Sequence, residues 1–175
     1  VSYACFSFTV GAVNTWLPTL VTERFPLQNF STLQLDLGIT VMLSSLVGAL
    51  VSGVGLQALL KACPHYPFVI KSVCIIATLT IALIPTYIAI SIDISWTLFL
   101  VCMAILFALV TMSTLPINLL LLQTVDPDAK TYSMALSIAI IHLIGDIPSP
   151  ILVGKIWDWT QNATVSMQLA TIGFV

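Results

Sequence analysis

The sequence predicts an all-α membrane protein, a bundle of six spanning helices with the last one truncated. Three observations carry this expectation. The 175-residue chain is 59% apolar and only 7% charged, whereas a soluble domain carries about 25% charged residues. The apolar residues gather into six long runs, and the charged ones sit almost wholly between them. That leaves too little charge to coat a water-soluble globule of this size, so lipid is part of the solvent.

A spanning helix needs about 20 apolar residues. The first run, residues 2–21, meets that length, and the polar stretch TERFPLQNFSTLQLD with Pro26 ends it. The second, 37–60, stops at KACPHYP, where Pro64 and Pro67 cannot continue a helix. The third, 68–92, contains Pro85 and closes at the turn SIDIS, which holds Asp93. The fourth, 96–125, contains Pro116 and is followed by DPDAKTY. The fifth spans 133–156, and WDWTQN leads from it into a sixth, 165–175. Both ends of the chain fall inside apolar runs and no charged leader precedes the first, so the chain reads as a piece of a longer membrane protein.

Short connections make successive helices alternate in direction. Lys61, His65 and Lys71 follow the second helix and Lys130 follows the fourth, which puts them on one side. Arg24 and Lys155 lie on the other side, outweighed by Glu23, Asp36, Asp93 and Asp158. The Lys/Arg excess makes the first side cytoplasmic. Two N-x-S/T acceptors, at Asn29 and Asn162, both fall on the opposite side and are candidate glycosylation sites.

A net charge of −2 offers no basic footprint for nucleic acid. Cys5, Cys63, Cys74 and Cys102 are scattered without ligand spacing, and three of them read as small hydrophobes inside apolar runs. No HExxH, GxSxG, P-loop or paired Cys/His cluster occurs. No enzyme activity, cofactor or metal is therefore expected.

The second helix carries Ser44, Gly48 and Ser52 at four-residue spacing, with Ser45, Ala49 and Gly53 one position along and Gly55 beyond. Small residues on one stripe let helix backbones approach closely. The fifth helix is the richest. The run HLIGDIPSP places His142, Gly145, Asp146, Pro148 and Pro150 within nine positions. An Asp at mid-span costs about 2.5–3.5 kcal/mol even on lenient scales, so this face meets protein or a water-filled cavity. His142 and Asp146 are four apart and can pair. Gly145 allows a neighbour to come close. Pro148 and Pro150 are expected to break the helix and to free the carbonyls of Ile144 and Asp146. This makes Asp146 a candidate proton carrier; the alternative is a purely structural bond to a neighbouring helix end, with His142 as partner. Asn14, Trp16 and Pro18 lie near the outer end of the first helix, and Asn118 lies in the fourth. Trp16 fits an interfacial anchor. The asparagines fit either interhelical hydrogen bonds or substrate contacts.

The segment VDPDAKTYSMALSIAIIHLIGDIPSPILVGKIWD, residues 125–158, resembles the major facilitator superfamily, and within it the Spinster-like transporters. His142, Leu143, Gly145, Asp146, Ser149, Pro150, Gly154, Ile156 and Asp158 match that pattern position by position. Phe8, Gly11, Ala12, Trp16 and Pro18 carry a looser match near the chain start. The loop LQALLKACPHYP departs from the family by lacking its Asp-Arg pair. The resemblance implies the C-terminal six-helix half, helices 7–12, of a twelve-helix transporter. It implies alternating access and a lipid-like substrate such as a sphingolipid or lysophospholipid.

The function expected is secondary transport of a lipid-like or small organic solute, with proton coupling, using Asp146 and His142 first and Asn118, Asn14 and Trp16 second. Its partners would be membrane lipids, the lysolipid or small-molecule substrate and the absent N-terminal half, in the plasma or an endolysosomal membrane. A carrier for a sugar, drug or organic anion is the same-class alternative. A non-transporting receptor or structural subunit is the different-class one.

Overall fold

The computed structural model describes residues 2–26 and 29–170, with the side chains of 2–6 (Cys5 among them), 163 and 170 outside the description. The chain runs through α1 (Ser2–Arg24), α2 (Phe30–Ala62), α3 (Pro67–Ser91), α4 (Trp96–Gln123), α5 (Lys130–Ile141), α6 (Pro148–Thr160) and α7 (Ala163–Ala170). A 3-10 turn at Pro127–Ala129 opens α5, and a π turn at His142–Asp146 joins α5 to α6. No strand occurs among the described residues. Among the described residues, four helical stretches are long and apolar enough to cross a bilayer: Phe30–Ala62, Pro67–Ser91, Trp96–Gln123 and Pro127–Thr160. The protein is an all-α membrane protein.

Local chemistry sets the helix ends. Asn29 caps α2, its side-chain oxygen accepting the Ser31 N–H at 3.1 Å. The helix therefore starts at Phe30, well before the apolar run expected from residue 37. Leu33 and Leu37 are buried one turn apart and fasten this extra length to the core. Pro67 occupies the start of α3, where a missing N–H costs nothing. Ser95 caps α4 by accepting the Leu98 N–H at 3.4 Å. The fifth span is longer than expected at both ends, and α6 stops where Gln161 turns left-handed at φ 50°. The sixth span begins at Ala163, and its expected residues 171–175 lie outside the described ones.

Packing divides the helices into two groups. α4 lies along α2 and α3, while α1 lies along the π turn, α6 and α7. Leu17 and Leu20 of α1, Leu33 of α2, Ile90 of α3 and Phe99 and Met103 of α4 form the shared core. The α2–α4 contact is tight because of Gly48, where an added Cβ would lie 2.3 Å from the Ala108 carbonyl oxygen. Ser52 donates to the Met112 carbonyl at 2.7 Å, which is the carbonyl that Pro116 cannot reach. Gly53 corrects the expectation of a second packing stripe. A Cβ at Gly53 or Gly55 would meet nothing within 4 Å, and Gly53 borders an open cleft with Leu115 and Leu119 of α4 in place of a close contact.

At the far end of α1, Arg24 donates to the carbonyls of Ala89 and Ile90, the second at 2.9 Å, and stands 3.7 Å from Asp93. It thus satisfies carbonyls that the last turn of α3 leaves open. Lys71, counted by sequence among the cations that follow the second helix, lies in the second turn of α3, within the expected third run, and is only 2% exposed. Along α2, Leu35, Met42, Leu46, Leu50 and Val54 are exposed. An apolar face of that length suits acyl chains and not water.

Candidate functional site

The fifth span does not break at its prolines. Pro148 cannot donate to Ile144, and the helix absorbs this by widening into a π turn one step earlier. There the Ile147 N–H reaches the His142 carbonyl at 3.0 Å, five residues back. Helical rise then resumes at Pro148, so the segment stays continuous from Pro127 to Thr160. The expected break at Pro148 and Pro150 is thereby corrected to a bulge. π turns of this kind are frequent at functional sites.

The π turn brings a carboxylate into contact with two partners. Asp146 Oδ2 lies 2.5 Å from His142 Nδ1, and its Oδ1 accepts the hydroxyl of Ser7 on α1. An ionised carboxylate can only accept, so one proton serves the His142 contact, carried by the ring or by the acid. The His142 ring is 58% exposed and the Asp146 side chain 32%. Neither is sealed in protein.

Close backbone approach makes the contact with Ser7 possible. A Cβ at Gly11 would fall 2.7 Å from the Ser149 hydroxyl and 3.0 Å from the Asp146 Cα. Gly145 is buried in the turn itself. The Asp146 carbonyl, which Pro150 leaves without its helical donor, is not free: Ser149 donates to it at 3.1 Å. One turn further along, Trp16 donates its indole N–H to the Pro150 carbonyl at 3.1 Å. Its ring stacks on Trp157 with centroids 5.5 Å apart, in space that Gly154 leaves open. Trp16 therefore clamps α1 to α6.

The asparagines behave differently. Neither Asn14 nor Asn118 makes a side-chain hydrogen bond among the described residues. Asn14 is exposed and shares with Gln34 the rim of a cleft of about 310 Å³ between α1 and α2, floored by Phe107 of α4. Asn118 is half-buried and sits three turns from Phe107 on the same side of α4. Ser7 and Asn14 are two turns apart on one face of α1. The structure thus pairs His142 with Asp146 and sets Asn14 about 10 Å from Ser7 along the helix axis. It keeps Trp16 on the opposite side of α1, against α6. Among the described residues no group of His, Cys, Asp or Glu could hold a metal ion.

Comparison with known proteins agrees with this architecture. The chain is 30% identical over 169 residues to "Probable sphingolipid transporter spinster homolog 2" of Arabidopsis thaliana, covering 97% of this chain and 33% of the relative. The chain is Spinster-like. Spinster homolog 3 of the same plant is 25% identical over 161 residues, 89% of this chain and 29% of the relative. Spinster homolog 1 is 39% identical over 56 residues, 32% of this chain and 11% of the relative. Both are likewise named probable sphingolipid transporters. The chain spans about a third of the length of Spinster homolog 2. Residues 93–161 also match the Organic Anion Transporter Polypeptide (OATP) family. All of these are transporters by name, and none is an enzyme.

Ser7 is the member of this site that sequence reasoning missed. A serine in an apolar run reads as a small packing residue. The signal that points to it is Gly11, one turn on, inside the stretch that also holds Trp16 and Pro18.

Proposed function

We propose that this chain is the C-terminal six-helix half of a secondary carrier that moves a lipid-like or small organic solute by alternating access. The observation that carries the reading is the carboxylate shared by Ser7 and His142 at the seam between α1 and the π turn. A titratable acid at span depth, linked across two helices and partly open, is suited to coupling proton movement to helix movement. When Asp146 is ionised it holds the Ser7 hydroxyl and the His142 ring together. When it takes a proton that pull weakens, and α1 is released from the turn. The relatives' printed names support a sphingolipid as the cargo.

In this reading Lys61 and Lys130 face the cytoplasm, while Asn29, Asn162 and Arg24 face the opposite side. The protein would reside in the plasma membrane or an endolysosomal one. Asn14 and Asn118, unpaired within this half, would face the cavity enclosed with the N-terminal half. The test is uptake by the full-length protein in proteoliposomes, with labelled sphingoid and lysophospholipid probes against a sugar and an organic anion, under an imposed pH gradient. Saturable lipid uptake that collapses with the gradient is expected. Uptake of none of the lipids overturns the lipid reading. The OATP match over 93–161 supports a second reading, an organic-anion carrier, and the same assay detects it as uptake of the anion alone.

A further inference from the structure

The cleft between α1 and α2 carries chemistry of its own. Its rim presents two primary amides, Asn14 and Gln34, both exposed and neither engaged in a side-chain hydrogen bond among the described residues. Beside them Pro18 has no N–H, so the Asn14 carbonyl loses the donor a regular helix would supply. Gly38 lines an open part of the cleft, where a Cβ would meet nothing within 4 Å. The remaining walls are apolar, with Leu37, Val41 and Met42 on α2 facing Phe107 on α4. Among the described residues no Lys, Arg, His, Asp or Glu lines the cleft.

Two facts follow from this lining. An ionised group placed here would lose water with no opposite charge to compensate it. An uncharged hydroxyl or amide would find donors and acceptors together, because each primary amide offers both. An alkyl chain attached to that group would find an apolar wall directly alongside.

We infer that the α1–α2 cleft is the subsite for the uncharged hydrogen-bonding part of an amphiphile, a hydroxyl or amide, with the adjoining alkyl chain lying along Leu37, Val41, Met42 and Phe107. The inference rests on the carrier reading and names the chemistry this half contributes to its cavity. Any ionic headgroup is then bound elsewhere.

Equilibrium binding to the purified full-length protein tests this. The two probes are an oleoyl lysophosphatidylcholine and the same lipid lacking its free glycerol hydroxyl. The native protein should bind the hydroxylated lipid about tenfold more tightly. Asn14→Leu together with Gln34→Leu should bring that ratio to near one, and an unaltered thermal unfolding temperature of the detergent-solubilised variant reports that it is folded. Equal affinities in the native protein overturn the subsite, and so does a preference that survives in the double variant. In both cases intact lipid uptake would leave the carrier reading standing. A native protein that binds neither lipid overturns the subsite and the lipid reading together.

Discussion

Gly11 and Asp146 meet backbone to backbone, so close that a methyl group added to the glycine would lie 3.0 Å from the aspartate Cα. The Ser7 contact one turn away depends on this approach. The first and fifth spans are therefore held as one unit through the site. Gly11→Leu should cost about 1–3 kcal/mol by overpacking, because the obstacle includes the Asp146 backbone, which cannot rotate away. Gly48→Leu should act alike between α2 and α4, where the obstacle is the Ala108 carbonyl. Gly53→Ala meets only open space and should hold or raise stability by up to about 1 kcal/mol through helix propensity. Thermal unfolding of the detergent-solubilised protein separates the three.

Trp16 joins α1 to α6 by one hydrogen bond and one ring stack. Trp16→Phe keeps most of the stack and removes the N–H. The Pro150 carbonyl is then left without its donor, a loss of about 1 kcal/mol. Trp16→Ala removes both and should cost about 3 kcal/mol or more. If the two variants unfold at the same temperature, the hydrogen bond carries the whole effect and the stacking account is wrong.

The two sequons differ in their surroundings. The 33 residues of α2 reach about 50 Å, well beyond a hydrocarbon core of about 30 Å. With the surplus length at its N-terminal end, Asn29 is expected to stand clear of the bilayer at the tip of that helix. Asn162 follows Trp157 and Trp159 closely and caps α7, accepting the Val165 N–H at 3.1 Å. In a host that glycosylates, Asn29→Gln should abolish a glycosidase-sensitive gel shift and Asn162→Gln should not. The reverse pattern would place α2 deeper in the membrane than its length suggests.

The second to fifth spans were legible because lipid imposes a simple rule, about 20 apolar residues in sequence, and no tertiary partner is needed to read it. The early start of α2 was less legible. FSTLQLD looks like a polar loop until Asn29 is read as a cap and Leu33 and Leu37 as one buried stripe. His142 and Asp146 were legible as a pair because four-residue spacing brings them together on one helix. Ser7 was not, because its partner lies 139 positions away and only the packing of α1 on the π turn joins them. The π turn itself was hidden for a related reason. Two prolines announce that hydrogen bonds are lost, but the neighbouring helix decides whether the chain breaks or bulges.

Proton-driven accumulation by the full-length protein carrying Asp146→Asn tests the central claim most directly. Asparagine keeps the size of the side chain and its capacity to bond Ser7 and His142, but it cannot take up or release a proton. The account predicts normal membrane insertion and thermal stability, with accumulation against a gradient reduced to that of empty vesicles. Accumulation at the native rate by this variant would contradict it.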